Sequence, residues 1–193
     1  MKKRQTSTSG MEWLTMQGLC MGLKKDKRYR DFLLITIGSY FGLRIGDILS
    51  LRWVDVLEKT EFVLVEQKTK KLRKITINPV VTEALNLCSN EQVLIGKFRE
   101  DDYIFVNRWS GQISVSYVNK RLKFIFREYR VHVKNPSSHT LRKTFGKRIY
   151  ESDNKSERSL IYLSEIFSHS SIAITRKYIG ITQEQIADLY LSL

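Results

Sequence analysis

The sequence predicts a mainly α-helical α+β domain with a small antiparallel sheet of three strands. Two stretches carry helical patterning: an apolar run at Tyr29–Tyr40, and an amphipathic one from about Ser114 to Tyr129 with Val118, Leu122, Ile125 and Phe126 on one face. Two runs rich in β-branched residues, Phe62–Glu66 and Arg73–Ile77, flank a basic tip, Gln67–Leu72, in the manner of a β-hairpin. The size also fits, since 193 residues with 42% hydrophobic and 27% charged content and two prolines suit one globular core.

Residues 1–10 are polar and basic and read as a flexible lead or linker stub. A short helix is expected at Trp13–Met21, with Trp13, Leu14, Met16 and Cys20 as its apolar set. In the next helix Phe32, Leu33, Leu34, Ile35 and Ile37 nearly surround the axis, which predicts deep burial. Gly42 interrupts it. A second helix then starts at Arg44, turns Ile45, Ile48, Leu49 and Leu51 inward and ends near Trp53. After the hairpin, Asn78-Pro79 reads as an N-cap and first helical position for a helix to about Cys88. Residues 89–101 carry no clear signal, and Tyr103–Val106 reads as the third strand.

Ser114 or Ser116 caps the amphipathic helix, and Ser138 is expected to cap the next, whose first turn holds His139 and Arg142. A polar break at Glu151–Glu157 precedes an apolar helix at Ser159–Phe167. Ser168-His169-Ser170-Ser171 reads as a loop and cap for a short helix that carries Tyr178 and ends at Gly180. A last helix starts at Thr182, where Thr-x-x-Gln resembles a capping box, and spaces Ile186, Leu189, Tyr190 and Leu193 on one face.

The formal charge of +13 points to a polyanionic partner, of which nucleic acid is the usual one. Cys20 and Cys88 stand apart, without metal or disulfide spacing, which fits a reduced cytoplasmic setting. No apolar stretch reaches the roughly 20 residues a membrane span needs, and the N-terminus lacks a signal-peptide core.

Three stretches carry candidate chemistry: Gly42–Asp47, His139–Lys143 and Ser168–Tyr178. His139 and Arg142, three apart, share a helix face and can bind a phosphate, or simply form a basic helix end. Arg44 in its apolar setting needs a partner, and Asp47 one turn on is the expected one. Tyr178 alone reads as helix packing. Together the three supply two arginines, two histidines and a tyrosine, the inventory of a metal-free phosphoryl transfer.

GLRIGD, SHTLRKTFG and SHSSIAITRKYIG, in that order and with a basic hairpin between the first two, resemble the signature boxes of the tyrosine recombinase (phage integrase) family. The resemblance covers about Leu14 to Ile181 and implies that family's catalytic-domain fold over 11–181. It implies Arg44, Lys68, His139, Arg142 and His169 as catalytic residues, Tyr178 as nucleophile and Asp47 in support, with Lys70 the alternative to Lys68. Lys70, Lys71, Arg73, Lys143, Arg176 and Lys177 are the expected DNA contacts. Lys143 stands where many members have a second histidine, and Ser168 where a glycine is common.

The implied activity is site-specific cutting and rejoining of double-stranded DNA through a 3′-phosphotyrosyl intermediate, with no cofactor, metal or ATP. A non-cutting DNA-binding regulator and a type IB topoisomerase-like enzyme are the alternatives. The implied partners are DNA and further copies of the chain in a tetrameric synapse, with residues 182–193 docking in trans or packing in cis. The family's N-terminal core-binding domain has no counterpart, so the chain is either a piece of an integrase or a short recombinase. DNA binding is expected to be weak and strongly salt-dependent. His169 is expected on the fixed side of the site, with Tyr178 on a helix that DNA or a partner brings into line.

Overall fold

The computed structural model describes residues 8–181. In chain order the elements are α1 (Trp13–Lys25), α2 (Tyr29–Tyr40), α3 (Ile45–Leu49), α4 (Trp53–Val56), β1 (Glu61–Val65), β2 (Leu72–Thr76), α5 (Pro79–Leu94), α6 (Val115–Glu128), α7 (Ser138–Ser152), α8 (Glu157–Phe167) and α9 (Ile172–Ile179). The mainly helical α+β expectation holds. α2 is the hub, packing against α1, α5 and α7. Leu33, Ile35 and Ile37 along it are fully buried, each contributing roughly 1.5–3 kcal/mol by leaving water. The acid in its first turn, Asp31, is buried too, and Arg28 (2.8 Å) and Arg121 of α6 (2.8 Å) compensate its charge.

Among the described residues the sheet has two strands rather than three. β1 and β2 pair antiparallel from Glu61↔Thr76 to Val65↔Leu72. The expected third strand, Tyr103–Val106, makes only single bridges to two different segments, Tyr103 to Arg52 and Val106 to Gln112. Ile104 and Phe105 are buried there. Their apolar character therefore reports burial of a crossing segment and not a place in a ladder.

Four helix starts follow their cap chemistry directly. Asn78, Ser114, Ser156 and Ser171 each accept a hydrogen bond from a first-turn amide of the helix that follows. Ser114, not Ser116, thus caps α6. Ser137 replaces Ser138 as the N-cap of α7, its amide donating to Thr140 Oγ1 at 3.2 Å.

α1 and α5 run longer than the sequence signals, to Lys25 and Leu94. Leu14 points outward at 81% exposure. The inner face of α1 runs through Met16, Leu19 and Leu23, and Leu14 lies about 200° round the helix from Met16. Arg44 is the N-cap of α3, and the helix expected to reach Trp53 is instead α3, a turn, and α4. Gly42, at φ 58°, supplies the left-handed turn between α2 and that cap, with Phe145 packed against it.

Two apolar clusters result. The main one joins α1, α2, α5 and α6. A smaller one, Leu160, Leu163, Phe167 and Ile179 with Phe145, Ile149 and Tyr178 against it, fastens α8 and α9 onto α7. Residues 8–10, the described part of the expected lead, are strapped to the body: Ser9 N donates to Lys134 O (3.1 Å) and Lys143 Nζ to Thr8 O (2.7 Å). The C-terminal helix expected at 182–193 lies outside the described residues. Among the described residues no helix is long and apolar enough to cross a membrane.

Candidate active site

The site is built on the C-terminal end of α8. A helix leaves its last four carbonyls without intrahelical donors. Two of them are taken by the chain reversal that follows. Ser168 adopts φ 53°, ψ 45°, and the amides of Ser168 and His169 donate to Glu165 O (3.0 Å) and Ser164 O (2.9 Å). The other two carbonyls receive arginines. Ile166 O accepts from Arg73 Nη1 at 3.2 Å. Phe167 O accepts from both Arg44 Nη2 (3.0 Å) and Arg142 Nη2 (3.1 Å). Three guanidiniums thus face the negative end of one helix.

Arg142 is 4% exposed and lies over the Phe167 ring, 4.5 Å from its centre. Burial, aided by repulsion from Arg44 and Arg73, pushes its pKa down to about 10. Its Nη1 is buried and has no acceptor among the described residues.

The counterion of this cluster is Glu66, at the tip end of β1. Its carboxylate accepts from Arg44 Nη1 (2.9 Å), Arg73 Nη1 (3.3 Å) and Thr69 Oγ1 (2.5 Å). Burial raises its pKa, but Thr69 and the two arginines outweigh that and hold it below the usual carboxylate value. The partner of Arg44 is therefore Glu66 and not Asp47, because the hairpin brings a fully desolvated carboxylate directly against the guanidinium. Asp47, also buried, accepts from Gln67 N at 2.8 Å and so pins the hairpin tip beside Lys68.

Tyr178 closes the site. Its hydroxyl lies 3.1 Å from His139 Nδ1. Its ring sits edge-on to Phe167 (5.3 Å) and to His169 (5.2 Å), and Lys143 Nζ is 5.1 Å from the ring centre. His169 Nδ1 is 2.9 Å from Thr175 Oγ1, which fixes the imidazole against α9. Burial raises the Tyr178 pKa, and the positive charges of Arg142 and Arg44 offset part of that rise. Both histidines are shifted down, by partial burial first. Arg142 and Arg44 add to the shift at His169, and Arg142, Lys143, Arg44 and Lys68 at His139. A neutral His139 in its Nε2–H tautomer has Nδ1 free to accept the phenol proton.

The structure brings Arg44, Arg142, His139, His169 and Tyr178 into one cluster, with Lys68 exposed at its rim. Tyr178 is docked among them in the same chain, although its helix was expected to be one that DNA or a partner brings into line. The Phe167 and Ile179 packing of the smaller core holds it there. Lys70, Lys71, Arg176 and Lys177 are exposed.

Two expected DNA contacts point inward instead. Arg73 is spent on Glu66, Ile166 O and Phe41 O (2.9 Å), and Lys143, 9% exposed, on Thr8 O. Glu66 was missed, although strand alternation places it on the inward face with Phe62 and Leu64. Among the described residues no three His, Cys, Asp or Glu side chains are grouped to hold a metal ion.

Comparison with known proteins bears on the fold and the family. The chain is 33% identical over 162 residues to the probable integrase/recombinase YoeC of Bacillus subtilis (strain 168), covering 82% of each chain. It is 28% identical over 151 residues to the tyrosine recombinase XerD of Halalkalibacterium halodurans, spanning 77% of this chain but only 48% of that one. Its fold matches the Tn1549 transposon integrase solved in complex with transposon right end DNA, with a TM-score of 0.73 at 16% identity, over 100% of this chain and 67% of that one. Residues 16–185 match the model of the phage integrase family, and the chain accordingly belongs to that family of transesterifying tyrosine recombinases.

Proposed function

We propose that the chain is the catalytic domain of a site-specific DNA recombinase that cuts and rejoins double-stranded DNA without metal or ATP. One observation carries the reading: the Tyr178 hydroxyl is hydrogen-bonded to His139 in the same cluster as two arginines that donate to one carbonyl, that of Phe167. The arginines bind the non-bridging oxygens of the scissile phosphate, whose charge grows toward the transition state. His139 takes the phenol proton as the Tyr178 oxygen attacks phosphorus. The bond to the 5′-oxygen breaks, and Lys68 supplies the proton that turns this oxygen into a hydroxyl. A 3′-phosphotyrosyl enzyme remains, and the reverse steps, with another 5′-hydroxyl as nucleophile, rejoin the strand.

Lys68 suits the acid role better than Lys70. The charge of Lys68 acts on His139, and its neighbour Gln67 is pinned by Asp47. Lys70 occupies a left-handed backbone position at the tip, its amide tied to Glu66 O. His169 donates to the phosphate, and Lys70, Lys71, Arg176 and Lys177 provide exposed positive charge for DNA. In this reading the chain acts in homo-oligomers assembled on its site.

The test is a nicked suicide duplex containing the cognate site, incubated with the native protein and with Tyr178→Phe. A covalent protein–DNA adduct from the native protein alone supports the proposal. No adduct from the native protein favours a DNA-binding regulator, and an adduct from the Phe variant places the nucleophile elsewhere.

A further inference from the structure

Arg73 sits on β2 opposite Leu64, on the face that also carries Ile75. Its side chain is 16% exposed and is surrounded by acceptors from three parts of the fold. Nη2 donates to Phe41 O at 2.9 Å, the C-cap of α2 and three residues before Arg44. Nη1 donates to Ile166 O at 3.2 Å, in the last turn of α8 and three residues before His169, and to Glu66 at 3.3 Å. Glu66 in turn holds Arg44.

We infer that Arg73 is a positioning residue, a buried brace that joins the segment leading to Arg44 with the segment leading to His169 and Tyr178, and that Glu66 keys it in place. Only a planar fork with several fixed donors can serve three such acceptors at once, and an ammonium at the same place cannot reproduce the directions. Beyond its packing on α7, the α8–α9 unit is tied to the hairpin and to the segment after α2 by the bonds of Arg44 and Arg73 at the end of α8 and by Ser168 Oγ, which donates to Glu66 at 3.4 Å. The inference rests on the strand-cleavage reading for its effect on rate, but not for the brace itself.

The experiment compares the native chain with Arg73→Lys and Glu66→Gln. Amide hydrogen exchange, thermal midpoint, DNA affinity as a function of salt, and single-turnover adduct formation at saturating DNA are measured for each. Expected is a local loss of protection at residues 41–44 and 166–179, with α5 and α6 unchanged. DNA affinity and its salt slope should stay native, while cleavage falls roughly tenfold to a hundredfold, as misplacement of reacting groups by about 1 Å costs. Native-like protection in both segments, or a uniform loss through α5 and α6, overturns the brace. So does a weaker affinity with a salt slope reduced by about one and an unchanged cleavage rate, which marks a phosphate contact. If the native protein itself forms no adduct but the local loss of protection appears, the brace stands and the cleavage reading falls.

Discussion

Arg44 and Arg142 donate to one oxygen, the carbonyl of Phe167, at 3.0 and 3.1 Å. Two like charges are held side by side because the end of α8 supplies a shared acceptor and Glu66 a counter-charge. A guanidinium has five donors, so the bond to Phe167 fixes each plane and leaves others for an anion. Arg44→Lys or Arg142→Lys keeps the charge and loses the fork. Each is expected to lower the single-turnover cleavage rate by about 10²–10³, equivalent to losing one oxyanion donor at about 2.7–4 kcal/mol. Affinity for the same duplex, read by anisotropy, should change far less. Equal losses in rate and affinity would mean uniform phosphate binding instead.

The contact between Tyr178 and His139 carries a second expectation. A lowered His139 pKa keeps the imidazole neutral, and competent as a base, below the ordinary histidine value. The acid limb of the cleavage rate should therefore lie below about pH 6.5. His139→Gln should remove that limb and slow cleavage by roughly 10²–10⁴. A native limb at or above the ordinary value contradicts the base assignment, as does a Gln variant that keeps the limb.

The motif residues were legible because their spacing is local. His139 and Arg142 share one turn of α7, and Ser171 and Gly180 mark the ends of the helix that bears Tyr178. What surrounds them was less so. Alternation along the hairpin puts Phe62, Leu64 and Glu66 on the face shared with Arg73, Ile75 and Ile77, which predicts an inward Arg73. Arg73 and Lys143, expected as DNA contacts, both turn inward. Lys143 had no local signal at all, since its acceptor, Thr8 O, lies 135 residues away. The bond of Arg44 to Glu66 likewise depends on tertiary placement, whereas Asp47 was the acid visible at helical spacing.

Two glycines on neighbouring helices should respond oppositely to the same change. At Gly38 of α2 an added Cβ would lie 2.4 Å from Leu141 Cδ1 and 2.8 Å from Leu141 Cβ, at the crossing with α7. Overpacking of that kind costs about 1–3 kcal/mol, more than the roughly 0.5–1 kcal/mol an alanine gains over glycine inside a helix. At Gly18 of α1 nothing lies within 4 Å, so only the gain remains. Gly38→Ala should lower the thermal midpoint and Gly18→Ala raise it, by about 2–4 °C per kcal/mol in a chain of this size. A midpoint that rises in both would show that α2 and α7 are not in contact at Leu141.

Stability should fall with acid, and the sign follows from three groups of the site. His139 and His169 have lowered pKa values in the folded chain, so below about pH 6.5 the unfolded chain binds more protons. Unfolding becomes easier as pH drops through that range. Glu66 acts in the same direction lower down. Its stabilisation is present above the unfolded carboxylate value and is lost as pH falls through the folded one, because protonation ends its ion pairs with Arg44 and Arg73. The urea midpoint should thus be level near neutrality, begin to fall below about 6.5 and fall again in the carboxylate range. His139→Gln should lessen the first decline to the share of His169 and leave the second, while Glu66→Gln should leave the first and lessen the second. A native midpoint that stays level or rises between neutrality and pH 5 would falsify the claim that these side chains are held uncharged or ion-paired by the fold, since linkage allows no other sign.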